Sequence, residues 1–74
     1  MKVNLEKIRG LRTQKRLSQE KVAHYLGYDN VYPYHRKEKG EQPFLASDIM
    51  SLSKLFDKPC EYFFEKNVAK NATM

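Results

Sequence analysis

Residues Ser18–Gly40, SQEKVAHYLGYDNVYPYHRKEKG, decide how this chain folds. Ser18 suits a helix N-cap, because its hydroxyl can accept from the orphan backbone N–H groups of the first turn. Gln19 and Glu20 add acceptors at the positive end of the helix dipole. Val22, Ala23 and Leu26 make one apolar stripe, and Gly27 can take a positive φ and stop the helix without strain. After the polar turn Tyr28-Asp29-Asn30, a second helix is expected from Val31 to Lys39, ended by Gly40. Pro33 is tolerated there only in the first turn, where its missing N–H removes nothing, so this helix begins late and runs short. Helix, glycine-bearing turn, helix is an arrangement that places a second helix in a DNA groove.

Upstream, residues 4–16 predict a first helix with Asn4 as cap and Leu5, Ile8 and Leu11 as its apolar stripe. Gly10 weakens it, since an interior glycine costs about 1 kcal/mol against alanine. Downstream, Glu41-Gln42-Pro43-Phe44 reads as a loop and Ala46–Phe56 as a fourth helix, with Ile49, Leu52 and Leu55 or Phe56 inward. Pro59 suits the first position of a fifth helix, Pro59–Glu65, anchored by Tyr62 and Phe63. The expected fold is all-α: five short helices in one compact bundle over residues 1–65, with a fraying tail over 66–74.

A chain of 74 residues makes one small domain of modest stability, which a dimer interface would support. The single cysteine, Cys60, forms no internal disulfide and reads as a small buried hydrophobe; this fits a reducing compartment. No apolar run approaches the roughly 20 residues of a membrane span. The N-terminus lacks the apolar stretch of a signal peptide, so a cytoplasmic location and no membrane partner are expected. Net charge is +5, and its distribution says more than its total. Residues 1–40 carry ten Lys/Arg against four acids, whereas residues 41–65 carry two Lys against five acids. The half with the two-helix unit is the half that would meet a polyanion.

His24, His35 and Cys60 lack metal-ligand spacing, and no nucleophile–base set or glycine-rich phosphate loop stands out. No enzyme, cofactor or metal is expected.

With these residues in place, the chain resembles the lambda-repressor/Cro-type (Xre) helix-turn-helix family from Ile8 to Phe64. The resemblance rests on Ile8-Arg9-x-Leu11-Arg12, Leu17-Ser18-Gln19-Glu20-x-Val22-Ala23-x-x-Leu26-Gly27, Glu38-Lys39-Gly40, and Pro43 before Leu52-Ser53-x-x-Phe56. It departs from the family in three ways. Gly27 to Gly40 is one residue longer than the common spacing, similar to phage-derived members; Lys37 stands where a buried aliphatic is usual; and Pro33 is unusual so near the reading end. The resemblance implies a five-helix domain whose third helix enters the major groove, often as a dimer on a palindromic operator. Many members are repressors of phages and mobile elements. It also implies a structural salt bridge between Arg12 and Glu38, an inward Tyr34, and a Gln19 that binds a phosphate and braces the third helix.

The expected function is sequence-specific binding of double-stranded DNA by a transcriptional regulator, a repressor acting as a homodimer in a bacterial nucleoid or phage-infected cell. Asn30, Val31, Tyr32, His35 and Arg36 are the candidates for base readout: asparagine suits adenine, arginine guanine, and a small apolar side chain a thymine methyl. Ser18, Gln19, Lys21 and Lys39 are the phosphate candidates, and Tyr62 or Phe64 the dimer candidates. With no ligand domain after residue 65, control would come from concentration or a regulatory protein partner. The rival expectation is an interaction module, an antirepressor or antitoxin component with weak DNA binding, favoured by Pro33 and Lys37 because both strain the usual recognition helix.

Overall fold

Asn4 opens the first helix, α1 (Leu5–Gln14), by accepting the Lys7 N–H on Oδ1 at 3.1 Å. Ser18 does the same for α2 (Gln19–Tyr25), accepting the Lys21 N–H on Oγ at 3.1 Å. The computed structural model describes residues 2–65, and the tail expected over 66–74 lies outside them. Two further helices follow, α3 (Tyr32–Lys39) and α4 (Ala46–Phe56), and then a 3-10 turn over Cys60–Phe63. The described chain is compact and all-helical, with a single isolated bridge, Val3 to Phe64, as its only β pairing.

Each helix ends by passing through the left-handed region. Gly27 (φ 95) and Gly40 (φ 89) do so freely after α2 and α3, while Arg16 (φ 57) and Asp57 (φ 55) do so after α1 and α4. The first helix is therefore shorter than residues 4–16. The Arg16 N–H bonds the Thr13 carbonyl and the Leu17 N–H the Arg12 carbonyl, and this paired cap closes the helix at Gln14.

The last element corrects the expected fifth helix, Pro59–Glu65. Pro59 is extended (ψ 153) and only Cys60–Phe63 turn, because the backbone beyond them pairs elsewhere. The Asn4 N–H donates to the Phe63 carbonyl and the Glu65 N–H to the Lys2 carbonyl, each at 2.7 Å. Those bonds hold residues 63–65 extended against the N-terminus.

One core joins all the elements. Ile8 and Leu11 from α1, Val22 and Ala23 from α2, Tyr34 from α3, Ile49, Leu52 and Phe56 from α4, and Phe63 from the turn are all buried. Cys60 is only half-buried. No helix among the described residues is long and apolar enough to cross a membrane.

Candidate nucleic-acid interface

The two-helix unit is α2, a turn over residues 26–31, and α3. Asn30 holds the start of α3, its Oδ1 accepting the Tyr32 N–H at 3.0 Å. Pro33 lies in the first turn, where no intrahelical bond is lost. The helix then divides by face. Tyr34, Lys37 and Glu38 are buried, while Tyr32, Arg36 and Lys39 are exposed on the opposite side.

Glu38 is the anchor of the inward face. The Arg12 guanidinium pairs with it through Nε at 2.8 Å and through a second nitrogen at 3.1 Å. The Tyr34 hydroxyl donates to Oε2 and the Gln19 amide to Oε1, each at 2.6 Å. One carboxylate thus ties α1, α2 and α3 together. Burial alone would raise the Glu38 carboxyl, but the hydrogen bonds from Arg12, Tyr34 and Gln19 outweigh it and hold it below the ordinary glutamate range. The same bond from Glu38 raises Arg12, and burial followed by the Glu38 contact pushes the Tyr34 hydroxyl up. The exposed side of this network is supported by Arg9, whose guanidinium donates to the Glu38 carbonyl at 3.1 Å.

A second polar cluster fixes α3 to α4. Lys37, 5% exposed, donates to Asp48 Oδ2 at 2.7 Å. The Tyr28 hydroxyl donates to Asp48 Oδ1 at 2.7 Å, and the Leu45 N–H to Oδ2 at 2.8 Å. Burial opposes ionisation at both charges, yet the mutual bonds prevail: Asp48 lies below its ordinary value and Lys37 above its own. Lys37 therefore reaches inward to a buried acid.

Gln19 serves two partners at once. Its amide nitrogen faces Glu38, and its Oε1 accepts from His35 Nδ1 at 3.0 Å. Ser18 is taken by its cap, and Lys21 stays exposed. Lys39 pairs with Glu41 at 3.2 Å with both side chains 54% exposed, a contact worth little in water. Val31 is half-buried, and Asn30 keeps its amide N–H groups free of the cap. Tyr32 and Arg36 extend from the outward face. The dimer candidates sit differently. Tyr62 is half-buried with its ring 5.7 Å from Phe63 and the Lys7 and Lys58 ammonium groups over it, and Phe64 lines a shallow groove with Val3, Leu5 and Phe44. Among the described residues, the large apolar side chains that stand exposed are Tyr25, Tyr32, Leu45 and Met50.

Three participants were not identified from sequence: Asp48, Tyr28 as its partner, and Arg9 on the Glu38 carbonyl. A lysine at an inward helical position is a signal that could have prompted a search for a buried acid. Among the described residues no group of three or more His, Cys, Asp or Glu could hold a metal. Comparison with known proteins found no matching family model, no curated relative and no similar solved structure.

Proposed function

We propose that the chain is a sequence-specific DNA-binding regulator of the lambda-repressor/Cro type, with α3 lying in the major groove. The observation that carries this reading is the two-sided character of α3. Its inner face is fixed by ion pairs to α1 and α4 and by the Gln19 amide of α2, while its outer face offers Tyr32, Arg36 and Lys39 with His35 on the flank. A rigid helix with basic and hydrogen-bonding groups on its free side suits base readout. The basic first half of the chain supplies the attraction to phosphates. Pro33 and Lys37 favoured the interaction-module alternative as sources of strain in α3; Pro33 lies in its first turn and Lys37 pairs with Asp48, which supports the DNA reading.

Repression from a two-fold operator by a homodimer belongs to the same proposal, with Tyr62 or Phe64 at the contact. Selection from a randomised duplex library at two salt concentrations tests it. An enriched, roughly two-fold-symmetric motif is expected. Salt-sensitive binding without a motif would leave only the electrostatic attraction and favour a protein partner. A sedimentation profile that stays monomeric at high concentration, with and without operator, would remove the dimer.

A further inference from the structure

Resting on the DNA-binding function proposed above, we infer that His35 selects a base bearing an exocyclic amino group, adenine or cytosine, by presenting Nε2 as a bare acceptor. The Glu38 carboxylate only accepts, so the Gln19 atom facing it is the amide nitrogen, and Oε1 is left facing His35. Oε1 in turn only accepts, so His35 Nδ1 carries the proton that fills the 3.0 Å contact. In neutral His35 that leaves Nε2 without hydrogen. Free histidine favours the opposite tautomer; here the charge of Glu38, passed through one amide, dictates the choice.

Nε2 has no protein partner among the described residues, and no side-chain polar atom among them is both buried and unpartnered, so Nε2 opens to solvent. His35 lies one helical turn from Tyr32 and Lys39, on the flank of the outward face. In the major groove, a lone acceptor matches adenine N6 or cytosine N4, both amino donors. It is mismatched to guanine N7 and O6, to thymine O4, and to any phosphate oxygen, all of which are acceptors.

Two measurements test this. The first is the ring itself: a long-range nitrogen–proton correlation spectrum of the free protein, recorded at mildly alkaline pH. A protonated, pyrrole-type nitrogen at Nδ1 and a pyridine-type nitrogen at Nε2 are expected; the reverse would overturn the inference without touching the DNA-binding proposal. The second is library selection with the wild type, His35→Ala and His35→Arg, each checked for its helical spectrum. Wild type is expected to prefer adenine or cytosine at one position of the half-site by roughly fivefold, the worth of one hydrogen bond. His35→Ala should lose the preference at that position alone, and His35→Arg should move it to guanine. A His35→Ala variant that binds all sequences more weakly with an unchanged motif would make His35 a phosphate contact and overturn the inference. A wild type that enriches no motif would overturn it together with the proposed function.

Discussion

Replacing Lys37 with alanine would leave Asp48 charged and buried without its ammonium partner. Breaking such a pair costs about 3–5 kcal/mol, a large share of the roughly 5–15 kcal/mol that holds a small domain together. Urea melts of Lys37→Ala should therefore show a sharply lowered midpoint or no folded baseline. The double change Lys37→Met with Asp48→Asn should recover most of the loss. Methionine fills the space, and the asparagine oxygen still accepts from the Leu45 N–H while its amide nitrogen donates to the Tyr28 hydroxyl oxygen. A double variant as unstable as Lys37→Ala would refute this account. That Lys37 is out of place can be read from the sequence, because the helix period puts it beside Tyr34 and Glu38. Its partner cannot, because Asp48 lies eleven residues on, across a loop whose path no local pattern specifies.

At the level of the helix, Gly10 and Gly40 should respond in opposite directions. Gly10 is exposed in the middle of α1, and a Cβ built there meets nothing within 4 Å. Gly10→Ala is expected to stabilise by about 1 kcal/mol and raise the melting temperature by several degrees. Gly40 closes α3 at φ +89, and a Cβ there would stand 3.2 Å from Leu5 Cδ1. Gly40→Ala should lower the melting temperature, having both strain and crowding to overcome. The outer face of α3 gives a functional pair. Arg36→Ala should relax preference at one base position, whereas Lys39→Ala should weaken all sequences alike and flatten the salt dependence by about one unit of slope. Equal effects of both changes on selected and random duplexes would count against that division. Helix starts were the legible part of these elements, since Asn4 and Ser18 cap by their own side chains. Helix ends were less so: Arg16 and Asp57 turn left-handed without being glycine.

For the whole domain, the two buried carboxylates set the response to acid. Glu38 and Asp48 both lie below their ordinary values of 4.5 and 3.8 in the folded state. Their contribution to stability is thus fully present above those values and is lost as pH falls through the lower, folded ones. Thermal melts across the acid range should show a steep decline starting near pH 4.5, and Glu38→Gln should make that decline shallower while lowering stability at neutral pH. An acid limb unchanged by Glu38→Gln would place the titrating groups elsewhere. The all-helical architecture was readable from caps, apolar spacing and the positions of Pro33 and Gly40. The closing segment was not, because its fate depends on residues sixty positions away: Phe63 and Glu65 bond back to Asn4 and Lys2. That antiparallel clasp makes the described chain nearly a ring. Its two ends are already neighbours, so a short bridge from residue 65 to residue 2 would span them with little loss. New termini could then be cut in the exposed loop at Glu41-Gln42, giving a circular permutant that keeps every helix and both ion-pair clusters.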